Sequence, residues 1–474
     1  MTVSSVRGRR IIAALLLPVF GVAATGCGSK GGGASTAAAA PQVRIWRLNQ
    51  PLDPLRGPLE GFLKANPGVV MTYKNKQIDG YETDALKSMA SRNGPDIWSI
   101  PNDWLGDESS VIQSMPTDYY YSADGSDKPT ASDQVRKLFP PGIAEQLVQP
   151  DGTVSGVPTN VDSLELYYNP DLFQAAEREF EASLGNNAKD TVTEPVRALL
   201  KSAPLTWNNV IDQTKYLTKT DSSGKIVRSA IALGTADNVP AANEVLQLLM
   251  MQNGSRIIST DRTSALFHIP LTTASGVQVN PGAKALEFYV SFATPGKSNY
   301  TWNPSLPSAL DAFAQGKVAM VVAFGDFGSQ LKVKYPRFNF ETAAVPQVTT
   351  ADIQAPVNFI RFKVETVTKT ADSTGGAWAS IRRYSNIDDT QSLASEQKLR
   401  TPYVASLKKN TDDFLNSQIL TGMAVYKINR PGFDGAFRQM ILDASQNGVS
   451  PTDSVNAGAQ KVNAILQPPV TPAP

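Results

Sequence analysis

GTVSGVPTNVDSLELYYNPDLF, residues 152–173, is the stretch whose reading decides the fold. It opens on Asp151-Gly152, a turn signal. The run Val154-Ser155-Gly156-Val157-Pro158 follows. Leu164, Leu166 and Tyr168 then alternate with Glu165 and Tyr167, the period-two pattern of a strand. Asn169-Pro170 ends that strand, and Asp171-Leu172-Phe173 opens a helix. A polar patch, Thr159-Asn160-Val161-Asp162-Ser163, sits at the centre. An extended chain with no folded connector can carry the backbone from one lobe to another, which would set the polar patch at the mouth of a cleft between them. An ordinary buried strand is the other reading of the same residues.

Working outward, 474 residues are too many for one core, so two lobes are expected. Apolar residues make up 41% and charged residues 18%, ordinary values for a soluble globular chain. A formal net charge of +1 implies no polyanionic partner, and nucleic acid is not expected. One Cys and one His provide neither an internal disulfide nor an ordinary zinc site, and no cofactor or metal is expected.

The N-terminus speaks of location. Arg7, Arg9 and Arg10 precede an apolar run from Ile11 to Val22, of signal-peptide length and short for a membrane span. Ala24-Thr25-Gly26 then lead directly into the only cysteine, Cys27, and this resembles the bacterial lipobox. The resemblance implies cleavage before Cys27, acylation of its thiol and attachment to the outer face of the cytoplasmic membrane. Residues 28–41 are rich in Gly, Ser and Ala and read as a flexible tether.

The folded part alternates strand and helix from the start. Strands are expected at Val43–Trp46, Val69–Tyr73 and Asp96–Ile100, with helices marked by Leu59, Phe62 and Leu63 and by Tyr81, Ala85 and Met89. That order predicts a parallel sheet, whose ligands sit beyond the carboxyl ends of the strands. Those ends carry Asn49 with Gln50, and Asn102, Asp103 with Trp104. A buried strand at Val318–Phe324 runs into Gly325-Asp326-Phe327-Gly328, read as a third polar and aromatic loop. Thr206 is a candidate N-cap and Ser308-Ala309-Leu310-Asp311 fits a capping box. Further strands are expected at Ala230–Leu233, Val357–Val364 and around the single histidine, His268. Tyr119–Thr130 reads as a loop and residues 467–474 as a Pro-rich tail.

Asn93-Gly94-Pro95-Asp96-Ile97, Gly156-Val157-Pro158 through Tyr168-Asn169, Pro204-Leu205-Thr206-Trp207, and Ala312-Phe313 through Met320 fall in one order along the chain. With Phe433-Asp434-Gly435-Ala436-Phe437 to Val462, they resemble the extracellular solute-binding proteins of ABC importers, in the group that includes maltose-binding protein. The resemblance spans roughly residues 42–466. It implies an α/β, two-lobed periplasmic-binding-protein fold (type II), with lobes joined by extended hinge crossovers. It places the first lobe at 42–160 and 347–400, and the second at 161–346 and 401–466. It further implies a non-catalytic monomer that captures a small hydroxylated solute, a mono- or oligosaccharide, and hands it to ABC permease and ATPase subunits.

By the same resemblance the ligand-binding positions are Asn49, Gln50, Asn102, Asp103, Trp104 and Asp162. Asn238, Asp326, Phe327 and Phe433 would come from the second lobe. Each position also has a structural reading: Trp104 as an anchor of its loop, Asp162 as a backbone cap, Phe327 and Phe433 as core. The loops contain no Lys or Arg apart from Arg47, so a neutral ligand is expected and an anion would lack a partner. Alternatives are a secreted carboxylate-dependent glycoside hydrolase, a polyamine or ferric-ion binder of the same fold (the latter through Tyr167-Tyr168), and a surface sensor or adhesin.

Overall fold

The structure is a computed structural model that describes residues 41–120, 130–185, 190–272, 275–397 and 399–467. The expected leader and tether, part of the Tyr119–Thr130 loop and the Pro-rich tail lie outside the described residues. In the N-terminal part, apolar runs alternate with amphipathic segments. β1 (Gln42–Leu48), β2 (Val70–Lys76) and β3 (Ile97–Pro101) run parallel, linked by helices Asp53–Ala65 and Tyr81–Ala90. β4 (Ile112–Gln113) and β5 (Val157–Ser163) follow. The second set is β6 (Glu165–Tyr168), β7 (Lys219–Thr220), β8 (Ile226–Ala232), the small antiparallel hairpin β9 (Leu271–Thr272) with β10 (Gln278–Val279), β11 (Val318–Ala323) and β12 (Glu341–Ala343). β13 (Ile360–Thr368) returns to the first sheet.

The first sheet has the order β2-β1-β3-β13-β4, with β5 also on β13; the second has the order β12-β6-β11-β8-β7. β11, buried at all six residues, is central to its sheet, which explains a run apolar on both faces. Each sheet is the centre of its own hydrophobic core. Leu164–Val345 and Val425–Leu466 supply one, and Val43–Val161 with Ile360–Ile419 the other. Each fully buried Leu, Ile, Val or Phe contributes roughly 1.5–3 kcal/mol relative to exposure. Thr206 caps the helix Trp207–Leu217 in a reciprocal box with Asn209, worth about 1 kcal/mol.

Leu164 alone separates β5 from β6, so the chain passes between the sheets in a single residue. Two further crossovers lie beside it. Phe359 packs in one core and Ile360 in the other, and the chain crosses again between Ile419 and Val425. Backbone hydrogen bonds tie the three together: Leu164 N to Phe359 O at 3.1 Å, Met423 N to Asn358 O at 2.9 Å, and Ile360 N to Met423 O at 3.0 Å. The buried Asn358 amide donates to Leu164 O and Gln418 Oε1 and accepts from Phe359 N, so both ends of that side chain are satisfied at the junction.

Three local expectations need correction. Gly325–Gly328 is not a loop but the first turn of the helix Gly325–Lys334. The strand expected at Val357–Val364 runs from Ile360 to Thr368, because its first residues form the crossover. His268 lies in a turn after a single bridge at Ala265, not in a strand.

Candidate functional site

A cleft of about 700 Å³ opens between the two cores. Its floor is the antiparallel pair β5 and β13. Register sets Asp162 opposite Arg361 and Asn160 opposite Lys363. Alternation turns all four side chains to one face, and all four line the cleft. One wall comes from the ends of β1 and β3. Asn49 has φ +50°, a left-handed conformation that asparagine tolerates, and its N–H donates to Lys76 O. The other wall comes from Phe324, Asp326 and Ser329 at the start of the helix Gly325–Lys334, with Glu244, Val425 and Lys427.

Of the residues expected from sequence, Asn49, Asn102, Asp103, Trp104, Asp162 and Asp326 meet at this cleft. Asn102 also accepts from Phe362 N at 2.9 Å, so it joins the wall to the floor. Trp104 is 7% exposed, packed against Tyr81 and Trp98, with the Arg430 guanidinium 4.5 Å from its ring centre. The other four residues are placed elsewhere. Gln50 turns inward and is 1% exposed, its backbone held by Asn75 and Tyr73. Asn238 spends its amide on Asn303 O, Leu306 O and the Trp302 ring nitrogen. Phe327 is buried against Tyr167 and Phe313, one helical step of about 100° round from Asp326. Phe433 is fully buried and stacked on Phe437. Tyr167 donates to Phe324 O and Tyr168 to the Glu341 carboxylate, and neither tyrosine lines the cleft.

The charges of the cleft differ from the sequence expectation. Arg47 is not its cation: it is fully buried behind the floor, paired with Glu365 at 2.8 Å. Three other cations line the cleft instead: Arg361, Lys363 and Lys427. Arg361 bridges Asp162 at 2.9 Å and Asp326 at 2.7 Å and lies 4.0 Å from the centre of the Phe324 ring. Asp162 also accepts from Gly325 N at 3.2 Å. Burial pushes the Asp162 carboxyl up, and Arg361 opposes that shift. Lys427 pairs with Asp434 at 2.7 Å and Glu244 at 3.4 Å. Burial would depress its ammonium, but Glu244, Asp434 and Asp103 outweigh that and hold it above the ordinary lysine value. Burial likewise raises Asp103, against Lys427 and Arg430. The alternation Ile360-Arg361-Phe362-Lys363-Val364 carried the signal for Arg361 and Lys363. The pairing of that strand with β5 did not show in the sequence.

Chemically, the site offers amides, carboxylates, ammonium and guanidinium groups, and the apolar surfaces of Trp104, Phe324, Phe359 and Phe362. Among the described residues no cluster of three or more His, Cys, Asp or Glu is placed to hold a metal, and no helix is long and apolar enough to cross a membrane.

Comparison with known proteins adds context. The model of one family, bacterial extracellular solute-binding protein, matches residues 59–424. No curated protein matches the chain. Among solved structures, the sugar-binding protein MalE of Xanthomonas citri is similar at 18% identity and TM-score 0.64, covering 90% of this chain and 97% of that one. An ABC transporter solute-binding protein of Thermotoga lettingae, bound with α-D-tagatose, is similar at 15% identity and TM-score 0.60, covering 90% and 100%. The cyclic α-maltosyl-1,6-maltose binding protein of Arthrobacter globiformis matches at 17% identity and TM-score 0.62, covering 90% and 99%. At these identities the likeness is one of fold.

Proposed function

This chain belongs to the bacterial extracellular solute-binding proteins, a family of binders and not of enzymes, and from that premise we propose that it captures a mono- or short oligosaccharide for an ABC importer. The solute sits between the lobes, contacts both and favours their closure by its differential contacts. The closed protein then presents it to the permease. The observation that carries this reading is the composition of the interlobe cleft. Asn49, Asn102 and Asn160, with Asp103 and Asp326, suit hydroxyl groups, and Trp104 and Phe324 supply apolar surface. The tagatose bound to one similarly folded protein, and the cyclic α-maltosyl-1,6-maltose binding of another, support it. In this reading each lobe is built on one of the two cores, the first on residues 43–161 with 360–419 and the second on 164–359 with 425–466, so the return segments expected at 347–400 and 401–466 shift to the crossovers at Phe359 and after Ile419.

A thermal-shift screen of sugars, polyamines, peptides and ferric complexes tests the ligand class. Ligand stabilises the form that binds it, so a sugar should raise the melting temperature. Trp104→Ala should weaken that sugar by roughly 1–2 kcal/mol through lost apolar contact. Hits confined to polyamines or ferric compounds would sink the saccharide reading.

The proposal includes a lipid anchor at Cys27, supported by its position after Ala24-Thr25-Gly26. Firm attachment takes more than one acyl chain, which an acylated N-terminal cysteine can carry. Cys27→Ser should move the protein from the membrane fraction to the soluble one. A variant that still sediments with membranes speaks against the anchor.

A further inference from the structure

The charges of the cleft are unevenly matched. Arg361 is shared by two carboxylates and Lys427 by two others. Lys363 differs. Its ammonium donates to the carbonyl of Leu48 at 2.8 Å and forms no ion pair among the described residues. Two of its three donors are therefore left for a ligand. Next to it, Asn160 stands opposite Lys363 in the ladder and donates to Gln397 Oε1 at 2.9 Å. The Nε2 of Gln397, which also lines the cleft, is buried and has no hydrogen-bond partner among the described residues. A buried donor without an acceptor costs roughly 1–3 kcal/mol, which a ligand oxygen recovers. An ammonium with spare donors beside an idle amide N–H is the donor pattern that receives one carboxylate.

We propose that the solute carries a single carboxylate, which docks on the Lys363 ammonium beside the Gln397 amide, so that the ligand is an acidic sugar of the hexuronate kind. This rests on the saccharide reading above and narrows it. A monoanion fits better than a phosphate dianion, because Asp103, Asp162, Glu244 and Asp326 line the same cleft and would repel a second negative charge. A cationic ligand is disfavoured from the other side: those carboxylates already face Arg361, Lys427 and Arg430.

The protonation of Lys363 gives a second readout. Burial, with Arg47 of β1 and Arg361 of β13, brings its ammonium down to about 8, against Glu365 of β13 and Asp162 of β5. A bound carboxylate raises it again. Below pH 8 the ammonium is charged with or without ligand, and affinity is flat. Above it the free protein must take up a proton to bind, so affinity falls about tenfold per pH unit until the raised value is reached. Arg47 and Arg361, both held above the ordinary arginine value, stay charged across that window, so the slope reports Lys363.

Calorimetric titration of glucuronate against glucose, galacturonate against galactose, and glucose 6-phosphate provides the test. Each hexuronate should bind about tenfold or more tightly than its neutral partner and than glucose 6-phosphate. Lys363→Met should lose that advantage while its thermal unfolding stays intact. Lys363→Arg, charged at every pH used, should bind the hexuronate without the fall between pH 8 and pH 10. Neutral sugars that bind as tightly as their acids, or a Lys363→Met variant that keeps hexuronate affinity, overturn the carboxylate proposal and leave the saccharide reading standing. Preference for glucose 6-phosphate overturns the single-charge argument. Failure of every sugar, acidic or neutral, overturns both.

Discussion

Replacing Arg47 by methionine should lower the unfolding free energy by roughly 3–5 kcal/mol, the largest loss expected from a single substitution here. Arg47 and Glu365 are both 0% exposed and stand 2.8 Å apart. Glu365 also accepts from the Tyr384 hydroxyl at 3.0 Å, and the Arg47 guanidinium lies 5.6 Å from the centre of the Tyr384 ring. Methionine fills much of the arginine stem but strands a carboxylate where water does not reach. The cost is the exposed deficit of that charge, not the worth of the pair. The double variant Arg47→Met/Glu365→Met should therefore recover most of the loss, since two apolar groups of similar volume replace two charges that each carried a desolvation penalty. Chemical denaturation of the four proteins of this cycle measures it. A single-variant loss under about 1 kcal/mol would mean that water reaches Glu365 and that the pair is not a buried one.

Arg47 also shows what the sequence allowed and what it concealed. It follows Trp46 in a strand and precedes a polar loop, so sequence placed it at the cleft mouth. In the structure it is fully buried and serves Glu365, more than 300 residues further along the chain and beyond any local pattern that could reveal the pairing. The crossover at Leu164 was legible for the opposite reason. Period-two alternation through Leu164, Leu166 and Tyr168, bounded by Asp151-Gly152 and Asn169-Pro170, is local information, and the structure makes it the link between sheets. The loops after β1 and β3 were legible from strand order, yet not residue by residue. Asn49 enters the cleft and Gln50, its neighbour, turns away. Asp326 and Phe327 part company because the chain there is helical, and adjacent helical side chains diverge. Arg361 and Lys363 join the site only through the register of β13 on β5, a pairing nearly 200 residues apart in sequence. Local periodicity finds elements; charge matching across them is settled by tertiary register.

Arg430→Glu should weaken binding of the sugar with the largest thermal shift by about 2–3 kcal/mol, roughly 30- to 150-fold in Kd. Arg430 begins a helix whose Phe433 and Phe437 sit in the core of the second sheet. Its guanidinium reaches across to the first, pairing with Asp107 at 2.8 Å and with Glu82, and covers Trp104. Asp107 also accepts from the backbone N–H groups of Asn429 and Arg430. Reversal of that charge sets three carboxylates together across the cleft, a repulsion present only when the lobes are together. The ligand-free protein should then open, with a larger radius of gyration in solution scattering, and apparent affinity should fall by the fraction of closed protein lost. Glu82→Arg in the same chain should restore part of it. Gly106 provides a route without charge. A Cβ at Gly106 would lie 2.1 Å from the carbonyl oxygen of Lys427 on the opposite side, so Gly106→Ala forces one wall off the other. Both variants should enlarge the ligand-free protein and weaken the sugar together. If both keep wild-type affinity while the radius grows, closure does not contribute to binding; if neither changes the radius, these contacts do not hold the lobes.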